Sequence, residues 1–200
     1  MMRDDGAFEP GQDWVHVLGV STSKWAIMLS AVQRALRASN PKLRVSFDSS
    51  SPFQTAGRYE EVVLSPDFTS DSRSWTASTV QAPQSRLHVD PSQPKPFPYP
   101  ESPIGERLML HHLSVRGGKW DQRQFDSVSN MMLTNHNVWI YLDAMKRAND
   151  LAAARDKQHV PPLYLECVDL IEEAFKLDDW PTFIKRSARL LDAAAPCEYR

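Results

Sequence analysis

Residues 14–48 hold the pattern that most restricts the fold of this chain: two short apolar segments separated by one amphipathic segment. The first apolar segment, WVHVLGV over residues 14–20, is rich in β-branched residues and predicts a strand. The cluster Ser21–Ser23 then supplies N-cap residues for a helix. In the segment SKWAIMLSAVQRALRAS, one predicted helical face carries Trp25, Leu29, Val32 and Leu36.

The second apolar segment, LRVSF at Leu43–Phe47, follows the turn Ser39-Asn40-Pro41 and predicts a second strand. A strand, helix and strand within this length are typical of a right-handed crossover, which places two parallel strands side by side. In parallel sheets, ligands and catalytic groups gather at the carboxyl ends of the strands, because the loops there vary over a rigid support. The candidate functional residues are therefore expected just after these two strands.

Two residue groups occupy those strand ends. Leu18 and Gly19 close the first strand, and the glycine allows a flat ligand to approach the backbone closely. Asp48 follows the second strand and places a carboxylate there. A purely structural role for Asp48, as a turn or helix-capping residue beside Ser49 and Pro52, remains open on pattern alone.

Composition sets broad limits. With 200 residues, 42% of them hydrophobic, the chain can bury a core. The net charge of −2 gives no overall basic field that would indicate nucleic-acid binding, although a local patch is still possible. The N-terminal segment MMRDDGAFEP does not resemble a signal peptide and no long apolar run follows, so we expect a cytoplasmic protein. Cys167 and Cys197 fall on separate predicted helices, which favours neither a disulfide framework nor a cysteine-rich zinc site.

The rest of the chain divides by composition. Residues 65–103 are rich in Ser and Pro and predict a loop or polyproline-like surface segment. Helical pattern then runs over residues 127–156, with a possible break near Asn135, and two further helices are predicted at Pro162–Lys176 and Thr182–Ala194.

Three histidines are candidate metal ligands. His111 and His112 lie in LMLHHLSV, and His136 lies in TNHNVWIY. No His or Cys stands at a familiar ligand spacing from them, so a core or capping role is favoured for each.

The motifs together resemble a known family. WVHVLGVSTSKWAIMLSAVQRAL followed by VSFDSSSPF resembles the last two βα units of the tRNA-guanine transglycosylase (queuine tRNA-ribosyltransferase) barrel. LMLHHLSV resembles the His-His-Leu segment of that family, and MMLTNHNVWIYLDAMKRAND resembles its His-Asn helix, in the same order. The Ser-rich FDSSSPF and the Asn-His-Asn triplet are most similar to the transglycosylases of phages and bacterial genomic islands, which place 7-deazaguanines in DNA. The cytoplasm would be that of the host if a phage encodes the chain.

The resemblance implies an α/β fold, with a partial (β/α)8 TIM barrel followed by a helical C-terminal region. The implied divisions are residues 1–64 for the last two βα units, 65–103 for the linker and 104–200 for the helical region. The implied activity is a glycosyltransferase that replaces guanine in tRNA or DNA with a 7-deazaguanine. Asp48 matches the nucleophile that forms a covalent glycosyl intermediate, and Leu18 and Gly19 match residues that line the purine pocket.

The chain departs from the family at its zinc site. His136 matches the zinc histidine of the family, but ESPIGERLML stands where three cysteines should precede the His-His-Leu segment. One histidine does not hold zinc, so we expect neither a structural zinc nor another cofactor.

The chain also matches only the last part of the barrel. The first six strands, the second catalytic aspartate and the Gly-rich loop that holds the base have no counterpart in it. We therefore expect a second polypeptide to supply the N-terminal barrel half, with nucleic acid and a deazaguanine base as the other partners. Self-association of the chain and gene decay are the alternatives to a second polypeptide. Two alternatives stay open for the function: a non-catalytic nucleic-acid-binding or scaffolding subunit, and an unrelated α/β module whose motifs match by chance.

Overall fold

The computed structural model describes residues 11–83, 92, 94–113 and 125–194. Some of the sequence discussed above lies outside these residues. It comprises the N-terminal segment that was compared with a signal peptide, most of residues 84–93, and Cys197. The chain forms two compact units that interleave along the sequence. The first unit is built from Met1–Ser49, Asp67–Trp75 and Met145–Arg200, and the second from Ser50–Pro66 and Thr76–Ala144.

The described residues form six α-helices and two two-stranded sheets, which is a mixed α/β architecture, and they form no closed barrel. None of the helices in this part of the chain is long and apolar enough to cross a membrane. In chain order the elements are β1 (Trp14–Val17), α1 (Ser23–Arg37), β2 (Arg44–Phe47), α2 (Ser51–Gly57), β3 (Glu61–Leu64), β4 (Ser78–Gln81), α3 (Ser127–Ala153), α4 (Pro162–Ala174), α5 (Trp180–Arg186) and α6 (Ala188–Ala194).

In the first unit, β1 and β2 pair in parallel, with Val17 opposite Phe47, and α1 forms the connection between them. The predicted strand, helix and strand are thus confirmed. Thr22 is the N-cap of α1, and its side chain accepts a hydrogen bond from the backbone N–H of Trp25.

The apolar face predicted for α1 is only partly buried, since Leu36 is 2% exposed but Trp25 is not buried. Trp25 is 45% exposed, whereas Ala26, Ile27 and Ala31 are almost completely buried. Small alanine side chains let a neighbouring helix approach closely, and α1 packs against α4. A prediction based on hydrophobic side chains overlooks these alanines, because they are only weakly hydrophobic. The sequence pattern therefore favoured the larger side chains.

The C-terminal helices of the first unit differ from the prediction in one place. The predicted helix over Thr182–Ala194 is interrupted at Ser187, so α5 and α6 are separate. The Ser187 hydroxyl donates to the Phe183 carbonyl at 3.0 Å at this point. In contrast, α3 runs through Asn135 without a break.

In the second unit, β3 and β4 pair antiparallel, and α2 packs against β3. Asn137 on α3 binds the β3 backbone twice: its Oδ1 accepts from the Val63 N–H at 2.9 Å, and its Nδ2 donates to the Glu61 carbonyl at 3.0 Å. β4 lies inside the Ser/Pro-rich segment that was expected to be a loop. The buried core of this unit consists of Ala56, Val62, Ala82, Phe97, Leu108, Leu110, Leu113, Phe125 and Leu133.

Candidate active site at the ends of two parallel strands

Strand pairing brings Asp48 beside the end of β1. The Asp48 backbone N–H donates to the Val17 carbonyl at 3.3 Å, and its carbonyl accepts from the Val20 N–H at 2.8 Å. The two strand ends therefore stay connected for one residue beyond the sheet. This juxtaposition follows from the parallel register that the sequence predicted.

The Asp48 carboxylate receives a hydrogen bond from Gly19. The backbone N–H of Gly19 donates to Oδ1 of Asp48 at 3.4 Å, which is near the limit for such a bond. Gly19 has a φ of +78°, a conformation that favours glycine over residues with a Cβ. A Cβ added there would meet no atom within 4 Å, so the backbone faces open space in which a flat ligand can approach.

The remaining predicted binding residue, Leu18, has a side chain that is 75% exposed. Its position next to Gly19 places an apolar group at the same strand end as Asp48. An exposed leucine here is available to cover the face of a bound ring.

A capping role for Asp48 has little support in the local structure. The N-cap position of the next helix, α2, is Ser50 rather than Asp48. The carboxylate instead faces Gly19 and is 59% exposed, so it is open to a reactant from solvent.

Sequence reasoning missed two polar residues that lie beside Asp48. His16 in β1 pairs in register with Ser46 in β2, and His16 Nδ1 lies 2.8 Å from Ser46 Oγ. His16 Nε2 lies 3.5 Å from Oδ2 of Asp48. The indole N–H of Trp14 donates to Ser46 Oγ at 2.7 Å, and the Trp14 and His16 rings are 5.8 Å apart between centroids. The alternation of side chains in WVHV and RVSFD could have indicated this arrangement. It places the side chains of Trp14, His16, Ser46 and Asp48 on one face of the strand pair.

His136, the match to the zinc histidine of the family, is a buried core residue in the second unit. Its Nδ1 lies 2.7 Å from Ser102 Oγ, and the same oxygen accepts from the Gly105 N–H at 2.9 Å. Burial lowers the pKa of His136, against smaller opposing effects of the Val63 backbone and the Glu101 carboxylate.

The other two candidate histidines also make local contacts. The His111 and His112 rings stack edge to face with centroids 4.2 Å apart, and His112 Nδ1 accepts from the Met109 N–H at 3.1 Å. Within the described residues, no group of three or more His, Cys, Asp or Glu side chains is placed to hold a metal ion.

Comparison of the chain with family models, curated proteins and solved structures gave no match. The site is therefore defined by its own geometry, in which a carboxylate, a glycine backbone and an imidazole meet at one strand-pair end.

Proposed function

We propose that this chain is the C-terminal part of a base-exchange glycosyltransferase that replaces guanine in tRNA or DNA with a 7-deazaguanine. The observation that carries the proposal is the exposed Asp48 carboxylate beside Gly19 at the ends of two adjacent parallel strands. The helix-connected parallel pair is also the repeating unit of a (β/α)8 barrel, and the proposed fold is the last two such units of one.

In the proposed reaction Asp48 acts as a nucleophile. One carboxylate oxygen attacks C1′ of the nucleotide while the bond from C1′ to N9 of guanine breaks, and guanine leaves with a proton. The entering base then attacks C1′ through its ring nitrogen, loses its proton and releases the Asp48 carboxylate. Two displacements at one carbon retain its configuration.

The base pocket of the proposed site begins at Leu18 and Gly19. The exposed Leu18 side chain contacts the ring face, and the open backbone at Gly19 admits the edge of the ring. The group that protonates the departing guanine belongs, in this proposal, to the second polypeptide that supplies the N-terminal barrel half.

Backbone pairing supports one edge of the sheet as the binding place of the proposed polypeptide. The carbonyls of Asp13 and Val17 accept bonds from β2, so the alternation of a parallel ladder turns the backbone groups of Trp14 and His16 toward the outer edge of β1. Among the described residues none pairs with that edge. The strand has no Lys or Pro that would protect it from pairing.

The outer edge of β2 is different. Its Val45 N–H donates to the side-chain oxygen of Gln33 on α1 at 2.7 Å, so this edge is already partly occupied. We therefore place the partner strand at β1, and closing a barrel at β2 would require Gln33 to swing away.

The test is base exchange by the reconstituted pair. The partner candidate is a polypeptide, encoded nearby, with roughly six βα units. The pair is expected to incorporate labelled guanine or deazaguanine into DNA or tRNA, and to form a covalent nucleic-acid adduct on denaturing gels. Asp48→Asn should abolish both. Asp178→Asn, which changes an exposed carboxylate far along the chain, is the matched control and should leave both unchanged.

Two results would contradict the proposal. Full exchange by the Asp48→Asn pair would exclude this carboxylate as the nucleophile. A pair that assembles and binds nucleic acid equally well with either residue, but never exchanges a base, would support the scaffolding alternative instead.

A further inference from the structure

The row Trp14, Ser46, His16 and Asp48 contains two hydrogen bonds and ends in a 3.5 Å approach of His16 to Asp48. The indole N–H of Trp14 can only donate, so Ser46 Oγ accepts from it at 2.7 Å. The Ser46 hydroxyl proton then has His16 Nδ1 as an acceptor at 2.8 Å. When the hydroxyl proton takes this bond, Nδ1 is the acceptor and the proton of the neutral imidazole lies on Nε2.

The opposite tautomer fits the site poorly. With the proton on Nδ1, the lone pair of His16 Nε2 would face Oδ2 of Asp48 at 3.5 Å, and two acceptors would oppose each other. With the proton on Nε2, the imidazole has a donor on the side of that oxygen, 3.5 Å away. The doubly protonated ring also keeps an N–H on this side.

We propose that His16 is a positioning residue for Asp48. The His16 ring holds the Asp48 carboxylate through Nε2–H, while Ser46 and Trp14 fix the orientation of the ring. The Gly19 N–H contacts Oδ1 and His16 faces Oδ2, so the carboxylate is held from both oxygens. Because Asp48 is more than half exposed, its remaining lone pairs stay open to a reactant.

The catalytic consequence rests on the proposed function. A donor on Oδ2 stabilises the carboxylate when it departs from C1′ in the second displacement, and it fixes the oxygen for attack in the first. Loss of this donor should therefore lower kcat without changing the KM of the entering base.

The first experiment needs no activity. Long-range 1H–15N spectra of the chain, recorded at about pH 8.5 where a free histidine is neutral, should show the His16 proton on Nε2. Ser46→Ala should shift His16 toward a mixture of tautomers. His159, whose Nδ1 lies 2.8 Å from Asp156 Oδ2, is the internal reference and should not change. A wild-type ring with its proton on Nδ1, or a ring that Ser46→Ala leaves unaltered, would overturn the inference.

The second experiment measures exchange by the reconstituted pair. His16→Phe keeps the ring size and removes the donor, and it should lower kcat about 10- to 100-fold with an unchanged KM. His16→Gln returns an N–H donor and should recover part of the loss. Equal loss in both variants would indicate that the ring serves packing alone and would overturn the positioning role.

The two proposals fail separately. If Asp48→Asn abolishes exchange but His16→Phe does not lower it, His16 has no positioning role while the proposed function stands. If the tautomer is as expected but Asp48→Asn remains active, the proposed function fails and the hydrogen-bonded row survives.

Ser46, His16 and Asp48 are also the residue types of a hydrolytic triad. A further experiment distinguishes a nucleophilic Ser46 from the positioning role proposed for His16. Ser46 lies within the paired strand β2, and its oxygen already accepts the Trp14 N–H, which disfavours it as a nucleophile. Covalent labelling of Ser46 by a fluorophosphonate would show that it is one and would overturn the positioning role of His16.

Discussion

Oε1 of Gln33 accepts a 2.7 Å hydrogen bond from the backbone N–H of Val45, so the crossover helix α1 satisfies one edge group of the strand that it leads into. The bond links residues that are close in sequence but belong to different elements. It gives β2 an edge partner from its own crossover connection, whereas the outer edge of β1 has none among the described residues.

Loss of this bond should reduce stability by a measurable amount. Gln33→Leu removes the acceptor and should lower the free energy of unfolding by about 1 kcal/mol, because the Val45 N–H loses its partner. Gln33→Glu keeps an acceptor oxygen and should lose less. Urea unfolding measures both. Gln158→Leu is the control, because the exposed side chain of Gln158 makes no hydrogen bond among the described residues, and only its backbone N–H donates to Asp156. An equal loss for Leu and Glu at position 33 would argue against the bond.

Amide exchange should distinguish the two edges of the strand pair. The amides of Trp14 and His16 face the outer edge of β1 and should exchange rapidly, whereas the Val45 amide should be protected by Gln33. Binding of a partner strand at β1 should slow exchange at His16 and leave Val45 unchanged. Hydrogen exchange followed by NMR measures each amide. A further slowing of exchange at Val45, with none at His16, would place the partner at β2 instead.

Burial of His136 predicts a pH dependence of stability. The pKa of His136 is lowered in the folded chain from its usual 6.5, so the unfolded chain binds this proton more readily. The contribution is fully present above pH 6.5, and it is lost as the pH falls from there through the lowered folded value. Urea unfolding of the wild type between pH 7.5 and 5.0 should follow this trend, and an NMR titration of the ring should give the lowered pKa directly. A His136 that titrates at or above 6.5 would contradict the prediction.

Gly105 should tolerate no side chain. A Cβ at this position would overlap the Tyr99 carbonyl oxygen and would lie 3.3 Å from the Pro100 Cα, which are both backbone atoms. Gly105→Ala should therefore lower the free energy of unfolding by about 1–3 kcal/mol. Gly57→Ala is the control in the same unit, since its nearest contact is the Asn130 side chain at 3.8 Å. Similar stability of the two variants would show that the Tyr99 segment can move.

Local pattern was sufficient to predict the backbone that carries Asp48 and Gly19. The strand, helix and strand follow from apolar periodicity, and the parallel register then brings the two residues together without further information. Neither required knowledge of any distant part of the chain.

The contacts of the side chains around Asp48 could not be predicted from local pattern. The first strand was predicted from its apolar and β-branched composition, yet Trp14 is largely exposed and its indole N–H donates to Ser46. The pairing of His16 with Ser46 depends on an exact register, which is defined only once the strands are in place. The buried face of α1 depended on α4, whose contact with α1 no local pattern reports.

The interleaving of the two units has a consequence for the order of synthesis. α1 packs against α4, so the apolar face that includes Ile27 and Ala31 lacks this partner until the last quarter of the chain has left the ribosome. The strand pair that carries Asp48 is among the first segments synthesised, but the helix that connects its strands gains its packing partner α4 only late. A nascent chain stalled after Ala144 would expose the finished sequence of the candidate site on an unfinished unit, where a chaperone or the proposed partner polypeptide would reach it first.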